Sequence, residues 1–290
     1  MSNETMASAA NSMVRITEPT GKFNAKVEDI VYRKLCEGRR YFGSSGASLT
    51  HQVYNPQEGS QIDQKSAKIG LDGERETTRF LREWAADKPN VVLIDSVSIR
   101  KREDGKPDAR LRVMTPEEIA EQDNSDQVAD EESGIVDTKD TDHILVIGHE
   151  IILVDTKTWR KGFYSVMAGG EVVRTKQRKK FPGGKVRMRG AVWLWYKYLE
   201  DYKNILGMVL INHDEATVQI NDHWYKSGPW RLVSKSEAEK FLNLKWDKIK
   251  DEQKGFIDTT LVSKIVACCV PPYDRMKQVI HASGFNELSL

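Results

Sequence analysis

Apolar positions follow two rhythms along the chain. At helical spacing they predict a short helix over Lys26–Cys36, a second from about Ile69 to Ala86, a long one from about Gly184 to Tyr202, and an amphipathic one from Ser236 to about Ile249. The second helix sets Gly70, Gly73, Glu74, Thr77, Leu81 and Trp84 on one stripe, so a carboxylate stands among small and apolar side chains. The third carries Met188, Ala191, Val192, Trp195, Tyr198, Leu199 and Tyr202 on its apolar face. β-branched runs predict strands at Val91–Ile99, after the Pro89-Asn90 break, and at Leu206–Ile211 and Thr217–Ile220. Residues 1–23 are small and polar and are expected to lack order. A Gly/Ser-rich loop is expected at 43–46, a bend at Gly169-Gly170, and a small helical tail over 251–290, interrupted by Pro271-Pro272. No internal repeat is visible.

The densest apolar signal is DHILVIGHEIILVDTK, Asp142 to Lys157, where two runs flank Gly148-His149. Glycine at the first central position suits a two-residue type II′ hairpin. Counting outwards from that turn pairs Ile147 with Glu150, Val146 with Ile151, and finally Asp142 with Asp155. Directly opposed residues have Cβ atoms about 4.5–5.5 Å apart, so two carboxylates meet at the open end of an apolar hairpin. Their repulsion is relieved by a divalent cation, and hard oxygen donors at a partly solvated edge suit Mg²⁺ or Mn²⁺. The period of two puts Lys157 on the face of Asp155. A lysine there can orient a water, help its deprotonation or neutralise a phosphate oxygen, which are the needs of phosphodiester hydrolysis. Asp-x-Lys or Glu-x-Lys also occurs at Asp63–Lys65, Asp104–Lys106, Asp137–Lys139, Asp201–Lys203 and Glu252–Lys254. None of those ends an apolar hairpin with a second Asp opposite. The plain alternative is a solvated hairpin end with an ordinary Asp–Lys ion pair.

Charge distribution changes that balance. The 290 residues carry a formal net charge of only +1, which excludes polyanion binding through bulk charge but not through a local patch. From Lys157 to Gly190 there are 11 Lys or Arg against the single acid Glu171, with Trp159, Phe163, Tyr164 and Phe181 interleaved. Basic residues beside aromatics suit a nucleic-acid backbone. Residues 101–140 hold 13 acidic and 6 basic side chains with little apolar periodicity, and are expected to form an acidic surface insertion. Within it TPEEIAEQ can form one short helix capped by Thr115. The chain has no apolar run of membrane-spanning length and no signal-peptide pattern at its N-terminus, and Cys36, Cys268 and Cys269 lack metal or disulfide spacing. A cytoplasmic protein without membrane contact is expected.

The run GLDGE (Gly70–Glu74), a long gap, and DTDHILVIGHEIILVDTKTWRKG (Asp140–Gly162) resemble the nuclease-related domain (NERD) family of the PD-(D/E)xK nuclease superfamily, over roughly residues 68–250. The resemblance implies an α/β fold with a restriction-endonuclease-like core, α-β-β-β-α-β, whose mixed central sheet is flanked by helices. It further implies metal-dependent cleavage of DNA, with RNA not excluded. Glu74, Asp142 and Asp155 would serve the metal and Lys157 would be the catalytic lysine. Two positions depart from the family: Asp stands at 155 where Glu is commoner, and FPGGK (Phe181–Lys185) replaces an Asn-Pro-x-x-Gln-like stretch. The latter puts the substrate contacts in question.

The expected organisation is therefore an N-terminal extension over 1–67, a NERD-like nuclease core over 68–250 containing the acidic insertion, and a helical appendage over 251–290. Arg160, Lys161, Arg174, Lys176, Arg178, Lys179, Lys180, Lys185, Arg187 and Arg189 are the expected nucleic-acid contacts, on a loop and at the start of a helix. His143 is expected to face away from the Asp pair as a structural residue, and Trp193, Trp195, Tyr196 and Tyr198 to form helix core and flank rather than a stacking platform. Two rival readings stay open: a nuclease fold that holds DNA or a partner without cutting, and an interaction protein whose acidic and basic segments pair with each other.

Overall fold

A computed structural model describes residues 14–47, 49–50, 64–102, 107–108, 135–167, 171–176, 179–182, 186–202, 204–219 and 229–270. Its first half runs β1 (Arg15–Ile16), α1 (Ala25–Cys36), β2 (Tyr41–Gly43), α2 (Gln64–Ala85), β3 (Val91–Arg102), β4 (Pro107–Asp108), β5 (Ile135–Ile147) and β6 (Glu150–Lys157). Next come β7 (Gly162–Val166), β8 (Val172–Lys176), β9 (Lys179–Pro182), α3 (Met188–Tyr198), β10 (Asn204–Ile211), β11 (Ala216–Gln219) and β12 (Trp230–Ser234). Then follow α4 (Lys235–Lys248), α5 (Asp251–Lys254), β13 (Phe256–Ile257) and α6 (Thr259–Val266).

The central sheet has the order β12-β10-β6-β5-β3-β2, with β4 beside β3. It is mixed: β5 is antiparallel to both β3 and β6, whereas β10 is parallel to β6 and to β12, and β2 is parallel to β3. Near-continuous apolar strands such as ILVI and IILV need cover on both faces, and they have it. On one face Val92, Ile94, Ile144, Leu153 and Val209 pack with Leu35 of α1, Trp195 of α3 and Leu261 of α6. On the other, Leu93, Leu145, Ile152, Val154 and Leu210 pack with Leu81 and Trp84 of α2 and Leu242 of α4. The protein is thus a mixed α/β structure with helices on both sides of a mixed sheet. Among the described residues no helix is long and apolar enough to cross a membrane.

The β5–β6 hairpin keeps the register counted from its turn, from Ile147↔Glu150 to His143↔Val154. Gly148 takes φ +57° while His149 does not enter positive φ, as a type II′ turn requires. The turn is buttressed by the chain beyond the sheet, where the His149 N–H donates to Gln253 Oε1 at 2.9 Å and its Nε2 lies 2.9 Å from Asp258.

Several boundaries differ from the sequence reading. α2 begins at Gln64, ahead of the expected Ile69, and α3 is confined to Met188–Tyr198. The central strands run on into the acidic stretch, since β3 reaches Arg102 and pairs there with Ile135 of β5, because ladder hydrogen bonds extend a strand whatever its charge. The TPEEIAEQ segment, Gly169-Gly170 and residues 271–290 lie outside the described residues. Residues 14–23, expected to lack order, are held in place. Arg15–Ile16 pair in parallel with Phe256–Ile257. The buried Glu28 carboxylate accepts the N–H groups of Thr20, Gly21 and Phe23 at 2.7, 3.1 and 2.9 Å. Those bonds hold the Glu28 pKa below its ordinary value against the opposing effect of burial. The N- and C-terminal segments thus close on each other and join the core around Ile94 and Val97.

The basic segment folds differently from the loop and helix start expected of it. It forms a second sheet of order β11-β7-β8-β9, with β7, β8 and β9 antiparallel and β11 parallel to β7. Tyr164, Val166, Val172 and Val218 turn one face of this sheet onto the main core.

Candidate active site

Asp142 lies one position beyond the last ladder pair of the hairpin. Its Oδ2 accepts the Thr156 N–H at 2.6 Å, taking the donor that would otherwise continue the ladder. Across β3, Ser96 lies between the pairs Asp95↔His143 and Val97↔Thr141 and holds φ +50°. Such a backbone is uncommon outside glycine. It lets the strand change which residues face which layer, since Ile94 and Val97 both join the same apolar cluster. Bonds from Ala47 N to Ser96 Oγ at 3.0 Å and from Val270 N to Ser96 O at 2.8 Å hold the kink.

Asp155 and Lys157 close the far end of β6. They are 19% and 27% exposed, and Lys157 Nζ lies 2.5 Å from Asp155 Oδ1. Burial alone would lower the Lys157 pKa, but Asp155 and Asp142 outweigh it and raise the value. Glu74 comes from α2 and is only 5% exposed. The helix comes this close because Gly73 precedes Glu74: a Cβ on Gly73 would stand 2.1 Å from Thr158 Cγ2, just past Lys157. Asn212 at the end of β10 ties the helix down, donating to Gly73 O and Glu76 Oε2 at 3.1 Å each.

The structure therefore brings the four expected residues, Glu74, Asp142, Asp155 and Lys157, into one electrostatic cluster. Burial, then the charges of Asp142 and Asp155, push the Glu74 pKa up to about 9. Burial, then Asp155, push Asp142 up to about 6. Glu74 Oε2 is buried without a hydrogen-bond partner. Both features describe carboxylates held where positive charge would relieve them. Yet among the described residues no three His, Cys, Asp or Glu side chains form a ready-made metal cage. Glu74 does not complete one with Asp142 and Asp155. The donor set instead fits a small hard cation that keeps most of its water, as Mg²⁺ does. Asp142 and Asp155 would hold it, with Glu74 acting from beyond.

Sequence reasoning missed the polar layer behind this cluster. His143 does face away from the Asp pair, into a buried chain. Its Nδ1 lies 2.8 Å from Asp95 Oδ1 and its Nε2 3.2 Å from Thr156 Oγ1, while Thr78 Oγ1 is 3.3 Å from Asp95 Oδ2. Thr78 stands one helical turn below Glu74, and Thr156 lies between Asp155 and Lys157. The period of two marked His143 and Thr156 as sharing the face opposite the carboxylates. It did not reveal Asp95, whose partner is distant in sequence.

The expected nucleic-acid contacts separate into groups. Arg160, Lys161, Lys176, Lys179, Lys180, Arg187 and Arg189 are exposed, although Lys161 pairs with Glu215 at 3.2 Å. Arg174 is half-buried over the Phe181 ring, 5.3 Å from its centroid. Arg178 and Lys185 lie outside the described residues. Trp195 is core and donates to Thr141 at 3.1 Å, but Trp193 and Tyr196, expected as core and flank, are exposed, with Lys197 Nζ 3.9 Å from the Trp193 ring. No protein-family model matches the chain, and neither does any curated protein or solved structure compared with it.

Proposed function

We propose that the protein is a metal-dependent nuclease that hydrolyses phosphodiester bonds in DNA, built on a restriction-endonuclease-like core of the NERD type. The element order α2-β3-β5-β6-α3-β10 follows the α-β-β-β-α-β pattern, with β3, β5, β6 and β10 adjacent in the sheet. The observation that carries the reading is the convergence of Glu74, Asp142, Asp155 and Lys157 at one end of β6, beside a sheet rich in exposed lysine.

Asp142 and Asp155 would hold Mg²⁺ or Mn²⁺. Bound there, the ion would act as a Lewis acid on the phosphate and acidify water. The Thr156 N–H fixes the Asp142 carboxylate, and the buried Asp95–His143–Thr156 chain fixes the strand carrying that N–H. Lys157, anchored by Asp155, presents a cation where negative charge grows on the phosphate in the transition state. Glu74, held protonated in the metal-free site, would release its proton as a cation binds and then add negative charge behind the ligands. The exposed lysines of β8 and β9 bind backbone phosphates away from the scissile bond.

The test is to incubate linear, circular and single-stranded DNA with Mg²⁺ or Mn²⁺, with Lys157→Ala as control. The reading expects cleavage by the wild type, lost in the variant and in EDTA. Tight DNA binding in Ca²⁺ with no cleavage in either metal would replace it with the reading of a non-catalytic binding module.

A further inference from the structure

We infer that the outer face of the β11-β7-β8-β9 sheet is a platform for single-stranded DNA, on which Phe163 stacks a base and Lys180 holds a neighbouring phosphate. This deepens the nuclease reading by naming the strandedness of the DNA held beside Asp155 and Lys157, and it rests on that reading for the choice of nucleic acid.

Side chains of β7 and β11 alternate between buried and more exposed positions. Tyr164, Val166, Val172, Ala216 and Val218 are buried against the core. In register across the other face run Thr217, Phe163, Thr175 and Lys180. Thr217 and Lys180 are exposed, as a solvent-facing row should be, yet Phe163 is 53% exposed in the middle of it. It contributes little to the core, because its neighbour Tyr164 already fills the inward position. A lone exposed apolar residue is ordinary; this one shares its face with Lys180, two strands away. Arg174, Lys176 and Lys179 fall on the face of Tyr164, and β7, β8 and β9 carry no acid.

The position also points toward the catalytic cluster. β7 leaves β6 through residues 158–161, directly after Lys157, and β11 leaves β10 through 212–215. The Asn212 N–H donates to Lys157 O at 2.9 Å, so both feeds start at the same end of the main sheet. The platform therefore starts at the end of β6 that carries Asp155 and Lys157. A duplex keeps its base faces stacked inside and offers phosphates alone, for which a phenyl ring has no use. A single strand exposes base faces to an aromatic side chain and phosphates to lysine.

The experiment measures binding of the full chain in Ca²⁺ by fluorescence anisotropy. It compares an oligo-dT of about 20 nucleotides with a blunt duplex of the same length, across a salt series. Phe163→Ala should weaken oligo-dT binding by about tenfold, leave duplex binding within about twofold, and leave the salt slope unchanged, because every lysine partner of a phosphate remains. Phe163→Leu, which keeps apolar bulk without a flat ring, should weaken binding as much, and Phe163→Trp should bind at least as tightly as the wild type. Equal weakening for both DNAs, or no weakening in either of the first two variants, would overturn the platform. Its failure is separable from failure of the nuclease reading. A protein that binds oligo-dT through Phe163 but never cuts in Mg²⁺ or Mn²⁺ sinks only the latter. One that cuts while Phe163 is indifferent sinks only the former.

Discussion

Glu74 supplies the sharpest quantitative test, because its cost to the metal-free fold can be worked from its surroundings. In the unfolded chain its carboxyl ionises near 4.5; in the fold, burial and the charges of Asp142 and Asp155 push that up to about 9. An acid whose folded pKa is raised favours the fold below its unfolded value, and that advantage is lost as pH rises toward the folded value. At about pH 7.5 the folded carboxyl must hold a proton that the unfolded one has released. One pKa unit corresponds to about 1.4 kcal/mol, so the cost is about 4 kcal/mol at pH 7.5 and falls to about 1 kcal/mol at pH 5. Glu74→Gln keeps the shape and removes the ionisation. In EDTA at pH 7.5 it should stabilise the protein by about 2–4 kcal/mol, the lower figure allowing for the buried amide that replaces the acid. At pH 5 the gain should shrink to about 1 kcal/mol or less. Adding Mg²⁺ should raise the wild-type midpoint more than the variant's, since a bound cation lets Glu74 give up its proton and ionise, which Gln cannot do. Urea unfolding of both proteins at the two pH values, with and without Mg²⁺, reads all of this. A variant no more stable than wild type at pH 7.5, or one whose advantage is the same at pH 5, would refute the burial of Glu74 beside the two aspartates.

Asp155→Asn should abolish cleavage while leaving far-UV circular dichroism unchanged and the metal-free melting temperature within a few degrees, because relief of the Asp142 charge offsets the lost ion pair with Lys157; a larger fall would contradict this. Lys157→Ala should keep DNA affinity within a few-fold and lower the single-turnover rate by roughly a hundredfold, the scale of removing one electrostatic stabiliser; the check is rapid-quench cleavage with DNA saturating. Neutralising Lys176, Lys179 and Lys180 together should weaken DNA binding and flatten its salt dependence, by about 0.7–0.9 in the log–log slope for each phosphate that no longer meets a cation, while oligonucleotide cleavage at saturation stays near wild type. His143→Ala should destabilise the protein by about 3–5 kcal/mol in chemical denaturation, since it leaves the buried Asp95 without its 2.8 Å partner; a cost under about 1 kcal/mol would show that the polar layer does not hold the strand.

What the sequence alone determined is local and periodic. The two-residue turn at Gly148-His149 set the hairpin register, and with it the meeting of Asp142 and Asp155 at one end, while the period of two put Lys157 on the Asp155 face, because the turn length fixes which residues stand opposite each other. Helical periodicity marked Glu74 as an inward carboxylate on α2, though not what it would face. Tertiary structure decided whatever depends on pairing between distant segments. Asp95 reads as an ordinary strand residue until β3 lies against β5 and brings His143 beside it. The run 162–182 reads as a basic loop because its apolar alternation is short and its charges are dense; its described strands β7, β8 and β9 become a sheet only when β11, from beyond β10, pairs with β7 and the main core covers Tyr164 and Val172. Residues 1–23 read as lacking order, yet Arg15–Ile16 pair with the distant Phe256–Ile257, and the Glu28 carboxylate gathers the N–H groups of Thr20, Gly21 and Phe23. Periodicity reports which face of an element is buried. Only the packed fold reports what that face is buried against, because contacts across long loops leave no spacing in the sequence to read.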